Sequence, residues 1–266
     1  MGNDQVKEQD SELQRKRIKI DLLIHDLKVP LAVIEAGITS LLRRTEKYGP
    51  LTEKQEKVLL RTLRNIKVSK TLVNDTLELG KSREGIVNPL EFEISKLIEQ
   101  TLIEIFDLAD SRISENIKSC IGLQQLKEVL QKKGFLLFID EEIWFEKVCL
   151  DEVKTKQILR NLLSNALKYR ESQLNLSVDK EGDWLVFSVK DDGEGIPSAY
   201  HKKIFDSYFQ MDVNDFHSVR GHGLGLAGVM VLVEDMCGKL ILESEEGKGA
   251  KFLVKVPLTF SPSTVR

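Results

Sequence analysis

The sequence is poor in cysteine and has no long apolar run, and each shortage removes a class of protein. Three cysteines, Cys120, Cys149 and Cys237, lie scattered with no Cys-x-x-Cys pair among them. That excludes a disulfide framework and a zinc site built on paired thiolates, and fits incidental thiols in a reducing compartment. No stretch reaches the about 18 consecutive apolar residues that a membrane-spanning helix requires. Met1 to Lys19 is charged throughout and lacks the apolar centre of a signal peptide. Val6 stands where a myristoylation pattern needs Ser or Thr. No strongly basic tract occurs; the net charge is -3 and the pI about 5.9, which argues against nucleic acid as a ligand. The expectation is a soluble chain with neither nucleic-acid nor membrane contact.

What remains is enough for two domains with real cores: 266 residues, 41% hydrophobic and 30% charged. From about Ser11 to Glu84 the pattern is helical. Ile20, Leu23, Leu27, Leu31, Ile34, Ile38 and Leu41 recur at spacings of three and four. Tyr48-Gly49-Pro50 breaks the pattern, and Thr52-Glu53-Lys54-Gln55 reads as a capping box that opens a second helix. There Leu59, Leu63, Ile66, Val73 and Leu77 form the apolar face. An antiparallel helical hairpin buries only one seam, so two copies pairing into a four-helix bundle is the economical arrangement, and a homodimer is expected.

After Gly85 to Pro89 the pattern alternates. Helices are expected over 95–109, 115–133, 154–169 and 226–236, and strands over 135–139 and 144–150. Leu174, Leu176 and Val178, then Leu185, Phe187 and Val189, make one hairpin; Leu240 and Leu242, then Phe252, Val254 and Val256, make another. The implied architecture is a two-layer α+β domain, an α/β sandwich whose sheet is mixed and mostly antiparallel, with helices on one face.

Four stretches carry chemistry. In His25-Asp26-Leu27-Lys28-Val29-Pro30-Leu31, His25 falls off the apolar stripe, toward solvent. Pro30 lacks an amide hydrogen and frees the carbonyl one turn back, a bend costing about 3 kcal/mol. Asp26 can hold the imidazole tautomer or take its proton, and Lys28 adds a cation for an incoming phosphate. The same residues also describe a surface histidine beside an incidental kink. Next, Gln157, Asn161, Asn165 and Lys168 sit four, four and three apart on one helix face. Amide oxygens there suit Mg²⁺ and the ammonium suits phosphate, though an ordinary polar face looks alike. Asp191-Asp192-Gly193-Glu194-Gly195-Ile196-Pro197 follows a strand directly. Its aspartate can accept from an adenine amine where glycines let backbone come close, or it is a plain turn. Finally, Gly221-His222-Gly223-Leu224-Gly225-Leu226-Ala227 opens a helix, an anion seat; it lacks the Gly-Lys-Ser/Thr of a Walker loop. Between the last two runs a long polar and aromatic segment, including Phe205 and Phe209, reads as a lid.

Taken in order, the histidine heptad, the two asparagines four apart, Asp-x-Gly-x-Gly, the phenylalanine segment and Gly-x-Gly-Leu-Gly-Leu-Ala resemble the sensor histidine kinases of two-component signalling, over about residues 15 to 260. The second half is similar to the GHKL superfamily, shared with gyrase, Hsp90 and MutL ATPases. The resemblance implies ATP and Mg²⁺ as cofactors, autophosphorylation of His25 and onward transfer to an aspartate of a response-regulator receiver domain. It implies His25 as phospho-acceptor, Asp26 as its general base and Lys28 beside it. It implies Asn165 as Mg²⁺ ligand supported by Asn161, Lys168 facing the phosphates and Tyr169 near adenine. Asp191 would bind the adenine amine, with Gly193 and Gly195 shaping the pocket. Phe205 and Phe209 would anchor the lid, and Gly221, Gly223, Leu224, Gly225 and Leu226 would wrap the phosphates.

The division it suggests is a linker, open to a coiled-coil reading, over 1–14, the dimerisation and phosphotransfer hairpin over 15–86, the catalytic domain over 90–260 and a tail over 261–266. An upstream sensor outside this chain is expected to feed it, and the location is expected to be cytoplasmic. Three departures stand out. Val29 occupies a position where the family often has Thr or Asn, so weak phosphatase activity is expected. His222 replaces a small residue between glycines. The segment near 114–133 is longer than usual. Two rivals remain: a GHKL ATPase that drives a conformational cycle, and a dimeric nucleotide-binding scaffold without catalysis.

Overall fold

The computed structural model describes residues 26–82, 87–206, 209 and 225–258. Contacts divide the chain into two compact units, Met1–Glu84 and Gly85–Arg266.

In the first unit, helix α1 runs through residues 26–43 and passes Pro30 without interruption. A short α2 (Thr45–Tyr48) follows, then α3 (Glu53–Ser82). The start of α3 is a capping box: the Gln55 side chain accepts from the Thr52 N–H at 2.9 Å, and the Gln55 N–H donates to the Thr52 hydroxyl at 3.3 Å. Glu35 on α1 and Lys70 on α3 form a half-buried ion pair at 2.5 Å, and among the described residues of this unit Ile38 and Ile66 are buried. Leu27, Val33 and Ile34 on α1, and Val58 and Leu60 on α3, stay exposed.

The second unit runs β1 (Leu90–Glu93), α4 (Ile94–Ala109), α5 (Ser111–Lys118), α6 (Leu123–Gln131), β2 (Phe135–Phe138), α7 (Glu141–Trp144), β3 (Lys147–Leu150), α8 (Glu152–Tyr169), β4 (Leu174–Glu181), β5 (Trp184–Asp191), two short 3₁₀ turns, α9 (Gly225–Asp235), β6 (Lys239–Ser244) and β7 (Ala250–Pro257). Five strands form one sheet in the order β2-β4-β5-β7-β6. Only the β2–β4 pair is parallel; the others are antiparallel. β1 and β3 form a separate antiparallel pair. The period-two alternation of the strands lines one face with Leu176, Phe187, Val189, Phe252 and Val254, all buried together with Leu97, Leu102, Ile158, Leu162 and Leu232 of the helices. Each such side chain contributes about 1.5–3 kcal/mol.

α8 begins where it does because the buried Asp151 caps it, accepting from the Lys154 N–H at 3.0 Å. The same carboxylate accepts from the Asn88 N–H at 3.0 Å, which ties the strand-entry segment to the helix. The Lys154 ammonium then meets the Asp235 carboxylate at the end of α9, at 2.6 Å and with no more than 10% of either side chain exposed.

Three elements differ from the sequence reading. The single helix expected over 115–133 is two, α5 and α6, parted at Gly122 with φ +86°. The Gln125 side chain reaches back to the Ile121 N–H at 2.8 Å and caps the second piece. Ile117, Leu123, Leu126 and Leu130 are buried in the common core, so this segment is part of the domain's packing. The strand expected from Trp144 starts only at Lys147, because the fully buried Trp144 closes the helical turn α7. β1 answers to no expected element.

Candidate functional site

The candidate site forms at the C-terminal end of β5. Strand register places Asp191 opposite Leu174, on the β5 face whose other positions, Leu185, Phe187 and Val189, are apolar, and Asp191 is only 6% exposed. Its Oδ1 accepts from the Gly193 N–H at 3.0 Å and the Ala250 N–H at 3.3 Å. Burial pushes the Asp191 carboxyl above the usual carboxylate range, against the pull of those two backbone donors. No ion pair of Asp191 occurs among the described residues. An acid kept on a core face against its own desolvation is a functional candidate.

The glycines beside it admit backbone from two directions. A Cβ on Gly193 would stand 2.0 Å from the carbonyl oxygen of Tyr169, the last residue of α8. One on Gly195, at φ +73°, would stand 2.1 Å from the Glu245 carbonyl oxygen in the β6–β7 turn. That turn is also held by the Gly247 N–H donating to the Glu194 carbonyl at 2.6 Å and by Ser244, whose hydroxyl accepts from the Ile196 N–H and donates to the Gly249 carbonyl, both at 2.8 Å.

The polar row of α8 is graded from core to water. Gln157 and Asn161 are buried, Asn165 half-buried, Lys168 and Tyr169 exposed. Asn161 Nδ2 donates to the Gly225 carbonyl at 3.3 Å, which joins the middle of the row to the first turn of α9. Leu226 is half-buried beside it. Lys168 Nζ donates to the Tyr169 hydroxyl at 2.9 Å and lies 4.5 Å from the ring centroid. The structure therefore brings Asn161 to Gly225, and Tyr169 to Gly193. Phe205 packs edge-on against Phe252 at 6.5 Å, and Phe209 against Tyr200 at 5.8 Å. Asp26 and Lys28 lie at the described start of α1, exposed and half-buried. His25, Gly221, His222, Gly223 and Leu224 lie outside the described residues, as do the linker over 1–14 and the tail over 261–266.

Sequence reasoning assigned no role to Asp192, Ser244 or Gly249. Asp192 gathers donors from residues 171 to 173, and slight burial is outweighed by hydrogen bonds from Ser172, Gln173 and Glu171, which hold its carboxyl at about 2. The signal was present in the acidic pair Asp191-Asp192 and in the Gly247-Lys248-Gly249 turn; their partners, 19 to 21 and 59 residues away, were not.

Residues 150–260 match the family described as histidine kinase-, DNA gyrase B-, and HSP90-like ATPase. The chain is 32% identical over 237 residues to the circadian input-output histidine kinase CikA of Synechococcus elongatus, covering 88% of this chain and 29% of that protein. It is 32% identical over 245 residues to the aerobic respiration control sensor protein ArcB of Escherichia coli, covering 89% of this chain and 28% of that protein. The chain thus spans less than a third of either relative's length. In fold it is similar to full-length ShkA crystallised with AMPPNP, at a TM-score of 0.62 and 23% identity over 91% of this chain and 46% of that one. No helix among the described residues is long and apolar enough to cross a membrane. The chain belongs to the sensor histidine kinases, and residues 150–260 are its ATPase-type domain.

Proposed function

We propose that this chain binds ATP in the Asp191 pocket, moves the γ-phosphoryl group to its own His25, and passes it on to an aspartate of a response-regulator receiver domain. The observation that carries the reading is Asp191 itself, a carboxylate buried on the apolar face of the sheet. Both backbone donors meet its Oδ1; Oδ2 is the oxygen an exocyclic amine of adenine would use. Gly193 and Gly195 keep the wall beside it free of side chains, and Tyr169 would pack against the base.

The donor set along α8 fits a nucleotide carried with Mg²⁺. Among the described residues no cluster of three His, Cys, Asp or Glu could hold a metal unaided. A magnesium ion would therefore rest on the Asn165 amide oxygen and on phosphate oxygens, a sparse protein ligation usual for Mg²⁺ with nucleotides. Asn161, fixed by the Gly225 carbonyl, orients the first turn of α9, and Lys168 supplies positive charge at the outer end of the row. Gly221, Gly223, Leu224, Gly225 and Leu226 are assigned to the loop around the phosphates, with Phe205 and Phe209 anchoring the segment before it.

ATP supplies the γ-phosphoryl group and leaves as ADP. The protein's share is positioning and charge neutralisation, which dominate phosphoryl transfer. Asp26 takes the proton from one imidazole nitrogen as the other bonds to phosphorus, and Lys28 offsets the negative charge arriving there. Residues 1–14 are assigned to a linker, 15–86 to the dimerisation and phosphotransfer hairpin, 90–260 to the catalytic domain and 261–266 to a tail. The exposed Leu27, Val33 and Ile34 of α1 and Val58 and Leu60 of α3 support a homodimer through a four-helix bundle, because a lone pair of helices leaves that surface in water. An upstream sensor and a cytoplasmic setting complete the reading.

Incubation with γ-labelled ATP tests it. The expected result is acid-labile, base-stable label on the protein that His25→Gln abolishes. Label that survives His25→Gln, or free phosphate with no labelled protein as in a plain ATPase, would overturn it.

A further inference from the structure

We infer that Asp192 is a positioning residue for the nucleotide: its carboxylate gathers the turn that leaves α8 and so sets the distance between Tyr169 and the Asp191 pocket. The inference rests on the reading of Asp191 as the nucleotide anchor.

The geometry is that of an anion in a nest of donors. Asp192 Oδ1 accepts from the N–H groups of Glu171 at 3.0 Å, Ser172 at 3.1 Å and Gln173 at 2.9 Å. Its Oδ2 accepts from the Ser172 hydroxyl at 2.6 Å and from the Ser172 and Gln173 N–H groups at 3.2 and 2.9 Å. The Asp192 N–H donates in return to the Gln173 carbonyl at 3.3 Å. Three consecutive backbone donors and a hydroxyl thus converge on one side chain.

The helix exit explains why they must. Helices commonly end on a left-handed glycine, which turns the chain and satisfies the last carbonyls. α8 instead ends on Arg170 in an extended conformation, φ -63° and ψ 151°. The chain then needs another device to bend from α8 into β4, and Asp192 supplies it. Arg170 secures the other side, its Nη1 donating to the Gly134 carbonyl at 3.2 Å. The turn is therefore clamped between the start of β2 and the end of β5.

The clamp bears on the site through two neighbours. Asp192 follows Asp191 directly, so any drift of one moves the other. Gly193 leaves no room for its own Cβ against the Tyr169 carbonyl, so the wall from Tyr169 to Gly193 closes only while the turn is held in. Charge-assisted bonds of this kind are shorter and stronger than neutral ones. Without the carboxylate, the turn relaxes outward and the pocket loses its fit to a flat base. The reacting phosphoryl group sits at the far end of the nucleotide, so the loss falls on binding and spares the chemical step.

The test is the initial rate of autophosphorylation by the full chain followed against ATP concentration, which gives the half-saturating ATP concentration (KM) and the maximal first-order labelling rate (kcat) separately. Asp192→Ala is expected to raise KM about tenfold and change kcat less than about twofold. Asp192→Asn, which keeps one acceptor oxygen, is expected to recover part of the affinity. Ser172→Ala, which removes only the hydroxyl donor, is expected to raise KM about two- to threefold. Glu171→Ala keeps its backbone donor and serves as the matched control, with no change expected. If Asp192→Ala does not fold, Asp192→Asn and Ser172→Ala decide the matter through the same KM shift. Unchanged KM in folded Asp192 and Ser172 variants, or a proportional fall in kcat and melting temperature without a KM shift, overturns the inference. Asp191→Asn is run in parallel. If it weakens ATP binding and the Asp192 variants do not, the positioning role alone fails. If neither affects ATP binding, the nucleotide reading of the pocket fails with it.

Discussion

Gly193→Ala places one methyl group where the structure has no space. The new Cβ would stand 2.0 Å from the Tyr169 carbonyl oxygen, 2.9 Å from its carbon and 3.1 Å from Asp191 Oδ1. An ordinary carbon–oxygen contact of about 3.3–3.6 Å exceeds the first of these by roughly 1.3–1.6 Å, and the obstacle is backbone at a helix end, which cannot rotate aside. Either the end of α8 or the segment after β5 must move by about that amount. Overpacking of this kind costs about 1–3 kcal/mol, or about 3–9 °C in the melting temperature of a domain of this size. The same displacement separates Tyr169 from Asp191, and shifts of about 1 Å at a binding site are worth up to about 100-fold. Nucleotide titration is expected to show about a 10- to 100-fold loss of affinity. Gly182→Ala is the control. Gly182 sits at φ +60° in the β4–β5 turn with nothing within 4 Å of the added Cβ, so it should cost about 1 kcal/mol in stability and leave nucleotide affinity intact. Wild-type affinity and melting temperature in Gly193→Ala would refute the reasoning.

Two further perturbations follow from the same contacts. Asp235→Leu leaves the Lys154 ammonium buried without its carboxylate. The expected cost is about 3–4 kcal/mol in chemical denaturation, with Lys154→Met/Asp235→Leu restored to within about 1 kcal/mol of wild type; a cost below about 1 kcal/mol for the single change would contradict it. Asp191 has its folded carboxyl raised by burial, so its ionised form opposes folding, and protonation as pH falls through that raised value returns stability. Protonation also removes the acceptor an adenine amine needs. As pH falls, nucleotide affinity should therefore drop above the usual carboxylate range while stability rises, and Asp191→Asn should abolish both trends.

Local rules carried most of the architecture. The capping box at Thr52 and Gln55, both alternating hairpins and the polar row of α8 are written in residues a few positions apart, and the structure forms them from contacts of that reach. The departures come from longer-range causes. Gly122 interrupts an apolar periodicity that continues on both sides, so the break between α5 and α6 is hidden from a pattern search. Trp144 is drawn into a helical turn by complete burial, against its preference for strand. Asp191 and its flanking glycines were legible as a motif, yet their meaning comes from the register that sets Asp191 opposite Leu174. The work of Asp192 depends on donors about twenty residues upstream. Cys237 adopts φ 53° after α9, a position glycine fills more easily, and nothing near it in the sequence announces that.

The central claim is that a buried aspartate at the end of β5 holds the nucleotide. Calorimetric titration of the full chain with AMPPNP and Mg²⁺ at neutral pH, comparing wild type with Asp191→Asn, tests it most directly. Saturable binding by wild type that weakens at least about tenfold in a folded Asp191→Asn protein is the expected result; equal affinity in the two proteins would contradict it.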